Sequence, residues 1–111
     1  MNKETFEKYY RNLLRKASDK RREKEHEYFS EGDLLSNFRK IASFRESTTP
    51  EAIMNLGSKS IQSISIMINH DYQDSRLLDE QFTLEQWDEK FVDALNYLIK
   101  LYASIREERG Y

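Results

Sequence analysis

Apolar residues recur along this chain at helical intervals, and no stretch alternates long enough to make a strand. Phe6, Tyr10, Leu13, Leu14 and Ala17 mark one face of an amphipathic helix that begins at about Lys3. Beyond Ala17 the stripe is continued by Arg21 and Lys24 as far as Tyr28, so residues 18–27 have helical propensity but little to bury. The pattern predicts that they project from the body as a charged extension. Ser30-Glu31-Gly32 interrupts the helix. Leu34, Leu35, Phe38, Ile41 and Ala42 then make a second, shorter helix, capped by Asp33 and ending near residues 45–47.

Thr49-Pro50-Glu51 predicts the next helix start: a side-chain acceptor, a residue that needs no amide partner in the first turn, and a carboxylate facing the positive helix end. This third helix runs to about Ile68. Its stripe of Ile53, Leu56, Ile61, Ile64, Met67 and Ile68 includes Gly57 and Ser60, small residues that let another helix approach closely. Residues 69–81, with Asp71, Asp74, Ser75, Asp79 and Glu80, have little periodicity and read as the longest loop. Thr83 and Gln86 then form a capping box, with Phe82 stapled on Trp87. Trp87, Phe91, Ala94, Leu95, Leu98, Leu101, Tyr102 and Ile105 carry a fourth helix to about Glu108, where Gly110 terminates it. The expected fold is all-α: a four-helix, bundle-like single domain with long first and last helices. Residues 1–28 form a basic N-terminal helix with its charged extension, and residues 33–109 form the helical body.

Composition narrows the function. A chain of 111 residues, 38% hydrophobic and 34% charged, has room for one core and not for a two-domain enzyme. The absence of cysteine removes a disulfide framework, a thiolate zinc site and a cysteine nucleophile together. Apolar runs are too short to cross a membrane and no secretory signal is expected, so the expected compartment is the cytoplasm, that of the host if the chain is phage-encoded. Three glycines and one proline leave no glycine-rich phosphate loop.

Charge is unevenly spread. Residues 1–24 hold nine Lys/Arg and four Asp/Glu, a net +5, while residues 25–111 hold nine and sixteen, a net −7. Arg15, Lys16, Lys20, Arg21, Arg22 and Lys24 make a basic arm expected to touch a negative partner. Asp19, Glu23, Glu25 and Glu27 lie within about one Debye length, roughly 8–10 Å, of these cations and dilute their field. A contact with a protein is therefore favoured over direct binding of nucleic acid.

Of the two histidines, neither His26 nor His70 has a second histidine at i+3 or i+4, so no metal site, catalytic residue or cofactor is expected. A better constellation lies on the fourth helix, where Glu89, Asp93, Asn96 and Lys100 fall within roughly 60° of one another and opposite Trp87, Phe91, Ala94 and Leu98. With Lys59 on the neighbouring helix, this stripe is either a solvated face or a polar binding slot. The same helix carries Tyr97, Leu98, Ile99, Leu101 and Tyr102, more apolar circumference than three short neighbours cover, which predicts a homodimer.

The run Trp87-Asp88-Glu89-Lys90-Phe91-Val92-Asp93-Ala94-Leu95-Asn96-Tyr97-Leu98 resembles the last helix of a family of small helical phage and prophage proteins. Asn37-Phe38, Thr49-Pro50, Lys59, Ser63 and Met67 match its other positions, so that the resemblance covers about residues 28–105. That family is in turn similar in look to MazG-type nucleotide pyrophosphohydrolases, whose Glu-x-x-Glu and Glu-x-x-Asp helices hold magnesium. Here those patterns occur only at Glu4 and Glu7, opposite the apolar stripe of the first helix, and at Glu85 and Asp88, in the capping turn of the fourth. Ser60 and Ile66 stand where the phage pattern has a histidine and an aspartate. The resemblance thus implies a scaffold that keeps packing residues and loses ionisable ones: a phage-type interaction protein that binds a host protein or nucleoprotein. One form this would take is inhibition of a host defence nuclease such as a CRISPR effector. The alternatives are a nucleotide-binding or MazG-like pyrophosphohydrolase protein, and a homo-oligomeric structural protein.

Overall fold

The protein, seen in a computed structural model that describes residues 1–28, 32–73 and 82–111, is all-α. The helices are α1 (Lys3–Tyr28), α2 (Ser36–Phe44), α3 (Thr49–Gln73) and α4 (Leu84–Arg109), with no strand among the described residues. The bundle-like architecture with long first and last helices is as expected.

The helix ends show why the chain breaks where it does. At α4 the Gln86 amide donates to Thr83 Oγ1 (3.2 Å) and the Thr83 amide to Gln86 Oε1 (2.9 Å), the reciprocal box read from the sequence. Phe82 meets Trp87 edge-on with ring centroids 5.8 Å apart, and Gly110 closes the helix at φ 67°. The Asp33 carboxylate accepts from the Leu35 amide (3.0 Å) and from Arg39 Nε (2.7 Å), securing the turn into α2. At α3 the expected cap is displaced by one residue: Thr48 Oγ1, not Thr49, accepts from the Glu51 amide (3.3 Å), and Thr49 is buried within the first turn. Helix α3 also runs five residues past Ile68, because 69–73 contain no glycine or proline to stop it. The rest of the predicted loop, 74–81, lies outside the described residues.

The core sits between α2, α3 and α4. Ile53 is fully buried with Leu35 and Phe38, and Leu56, Tyr97 and Leu101 pack around them. Gly57 is what lets α4 approach: a Cβ there would stand 2.9 Å from the Tyr97 Cβ. The close approach expected of the small residue is therefore made, and its partner is α4.

Helix α1 overturns one expectation. No residue before Ala17 is buried, and the apolar positions Phe6, Tyr9, Tyr10 and Leu14 are exposed. The charged segment read as the projecting extension docks at its start, through Ala17 and Lys20, while Arg21, Arg22, Glu23 and Lys24 stay exposed. It does so because Ala17 is small enough to bring the backbones together, so that Asn96 Nδ2 donates to the Ala17 carbonyl at 3.1 Å. Two carboxylates of α4 then receive its lysines, Lys16 on Asp88 and Lys20 on Asp93, the latter at 2.7 Å.

Candidate functional site

Docking of α1 on α4 closes one side of a cleft of about 230 Å³ whose floor is α3 and α4. Spacing explains which arm residues enter it: Lys20, Arg21 and Lys24 lie on one helical face, whereas Arg15 and Arg22 fall on the opposite one and stand exposed outside the cleft. Lys16 is spent on Asp88, also outside. From α3 come Leu56, Ser60 and Lys59; from α4 come Asp93, Asn96, Tyr97 and Lys100. Of the candidate polar stripe, Asp93, Asn96 and Lys100 thus share one cleft with Lys59, and Glu89 does not reach it. Glu89 is exposed beside Asp88 and Val92, one turn nearer the helix start.

The charge balance in the cleft is strongly positive. Among the described residues, Lys20, Arg21, Lys24, Lys59 and Lys100 line it against one carboxylate, that of Asp93, which Lys20 already holds. Arg21 leans on Glu25 at 3.3 Å, while Lys24, Lys59 and Lys100 form no ion pair among the described residues. Burial of its ammonium pulls Lys100 below the usual lysine range, and the positive charges of Lys24 and Arg21 pull it further against the opposing Glu25. Its head lies 5.5 Å from the centre of the Phe38 ring, a cation–π contact that ties the cleft to the core. Like charges held this close in a half-closed space favour an incoming anion.

The remaining candidates do not converge on chemistry. His70 is exposed near the end of α3, its ring edge-on to Phe82 at 5.9 Å, and the side chain of His26 lies outside the described residues. No group of three His, Cys, Asp or Glu residues among the described residues is arranged to hold a metal ion. The carboxylates with pyrophosphohydrolase spacing are likewise scattered: Asp88 is taken by Lys16, and Glu4 and Glu7 lie on the unburied half of α1.

Sequence reasoning treated the basic arm and the α4 stripe as two sites, and the structure makes them one. The sequence carried only a partial signal, two lysines four residues apart on α1 and two aspartates five residues apart on α4, because unequal spacings do not announce a pairing. Ser60 and Tyr97 were missed as lining residues because each also fits an apolar or packing role on its helix. No family model matches this chain, and neither the curated proteins nor the solved structures contain a match to it.

Proposed function

We propose that this chain is a binding protein, of the phage interaction type its sequence resembles, that captures an acidic segment of a host protein or nucleoprotein in the cleft between α1, α3 and α4. The observation that carries this reading is the convergence of five cations from three helices around one already paired carboxylate. Size favours a side chain as occupant: pockets for drug-sized ligands run from about 300 to 1,000 Å³, and this cleft of about 230 Å³ suits one or two carboxylates. Interleaved Asp19, Glu23 and Glu25 shorten the positive surface to the cleft itself, which suits an acidic loop better than a long phosphate backbone. Within the phage reading, an accessory factor that grips an acidic host surface fits this site better than an acidic mimic of nucleic acid, because the surface that converges is positive.

A second reading, a nucleotide-binding protein, is favoured by one observation: Lys59 faces Asp93, Asn96 and Lys100 in the same cleft, where it would meet a phosphate. Titration separates the two. A fluorescent peptide rich in Glu and Asp should bind more tightly than single-stranded DNA, RNA or ATP at physiological salt. Lys24→Glu with Lys59→Glu should weaken that binding by about tenfold or more, as loss of charged partners does at desolvated interfaces. Tighter binding of ATP than of the peptide would replace this reading by the second. Unchanged peptide affinity in the double variant would remove the cleft from both.

A further inference from the structure

A face of α4 quite separate from the basic cleft is left uncovered by the chain's own helices. Phe91, Leu98, Tyr102 and Ile105 fall within about 60° of one another on that helix, and each is at least 39% exposed. Between Phe91 and Ile105 no charged residue falls in that sector. Met54 and Ile61 of α3 extend it, exposed at the rim of the shallow α3–α4 groove that Leu98 shares. Helix α1 cannot serve as the cover, because Ala17, Lys16 and Lys20 fix it on the other flank of α4. Its own first half carries a second uncovered stripe, in which Phe6, Tyr10 and Leu14 follow one another at i, i+4 and i+8.

We propose that a second copy of this chain covers the α3–α4 face, in a two-fold pair whose N-terminal arms extend the contact. Two observations show room for a partner, and a third points to a copy of the same chain. The accessible surface is 8858 Å², about 2,400 Å² more than a compact monomer of this mass exposes. Stable interfaces bury about 800 Å² per partner and obligate ones more, so a third of the excess would suffice. Extension tells the same story: the radius of gyration is 16.7 Å, against about 13 Å for a compact chain of this length. Finally, charge does not oppose the pairing. Residues 1–15, the part of the arm that lies before the α4 ion pairs and the cleft, hold four Lys/Arg and two Asp/Glu, a net +2 opposite in sign to the net −7 of residues 25–111, and a two-fold axis would bring each arm to the other copy's body.

Light scattering at micromolar concentration should give twice the 13.4 kDa of one chain. Leu98→Glu, placing a carboxylate at the centre of the face, should raise the dissociation constant by about 30-fold or more while the helical circular dichroism stays unchanged. Because the chain has no cysteine, a single one can report the contact even if that variant folds poorly. Tyr102→Cys should oxidise to a covalent dimer far faster than Phe44→Cys, which is 90% exposed but lies off the face. A wild-type mass of one chain overturns the proposal, as does crosslinking through Phe44→Cys at the rate of Tyr102→Cys. Lys24→Glu with Lys59→Glu should leave the mass unchanged, so failure of the cleft and failure of this interface are read separately.

Discussion

The two halves of α1 share one unbroken backbone and meet opposite fates. Residues 3–16 carry the stronger apolar stripe yet leave Phe6, Tyr9, Tyr10 and Leu14 exposed with only Leu13 of the stripe half-buried, whereas the charged half that begins at Ala17 meets α4 through Ala17 and Lys20. The difference lies in what α4 offers on that flank: Asp88, Asp93 and Asn96 take a small residue and two lysines, and because α1 runs in the direction of α4, which begins only four residues before Asp88, α4 has no residue alongside the start of α1. Hydrophobicity along a sequence says which residues need cover. Complementarity of size and charge on the partner decides where the helix sits. The outcome also shapes the surface, because docking the charged half turns a basic arm into one wall of a cleft and leaves the aromatic half exposed.

Substitution at Ala17 should break this contrast most sharply. Only 3% of the residue is exposed, and its carbonyl accepts the Asn96 amide, so Ala17→Leu forces methyl groups between two helices in contact. A loss of about 1–3 kcal/mol is expected from such overpacking, measured by urea denaturation. Phe6→Ala, although it removes a far larger side chain, should change the stability of the dilute monomer by no more than about 0.5 kcal/mol, since the ring is 55% exposed. A Phe6→Ala penalty that grows with protein concentration would place the arm in the interface between copies. An equal penalty in dilution would show the aromatic half docked after all.

A smaller effect is expected from the ion pair that seats the charged half. Lys20 and Asp93 are about one-quarter exposed, close to the surface pairs whose measured worth is about 0.2–1 kcal/mol. Asp93→Asn should cost about that much, and less at high salt. The same variant removes the one carboxylate that lines the cleft among the described residues and frees Lys20, so it should bind the acidic peptide more tightly than the wild type does. Weaker peptide binding by Asp93→Asn would mean that Asp93 orients the cleft cations instead of cancelling one of them.

Much of the fold was legible because it is written locally. The Thr83–Gln86 box, the Phe82–Trp87 staple and the Gly110 stop each involve residues within five positions of one another, and all three stand as read. The start of α3 shows how narrow that legibility is. Thr48 and Thr49 present the same hydroxyl, and the choice between them was made by burial of Thr49, a tertiary fact. The end of α2 carried no glycine to mark it, and Glu46 takes the left-handed turn at φ 53° instead. The cleft was the least legible part: its α1 cations and its Asp93–Asn96–Lys100 stripe lie about seventy residues apart in sequence, and the Ala17–Asn96, Lys16–Asp88 and Lys20–Asp93 contacts bring them together.

Lys100 allows the smallest effect to be read as a trend with pH. Burial, followed by the charges of Lys24 and Arg21, lowers its folded-state value, while in the unfolded chain it titrates near 10.5. Below both values the lysine is charged in either state and the folded protein carries the full cost of holding it. As pH rises from the lowered value towards 10.5, the folded chain binds fewer protons than the unfolded one, so stability increases over that interval. Lys100→Met replaces the ammonium over the Phe38 ring by an unbranched apolar side chain, discards the charge, and so removes this cost at neutral pH. The stability of the variant relative to wild type should therefore be constant near neutrality and decline through the alkaline interval. An acidic peptide in the cleft should reverse the lysine's shift, because a nearby anion favours the ammonium. Wild-type protein should then take up protons on binding at alkaline pH, detectable as a buffer-dependent heat in calorimetry, and Lys100→Met should take up fewer. A variant-to-wild-type difference that does not change with pH would show that the cleft exerts no net pull on this lysine.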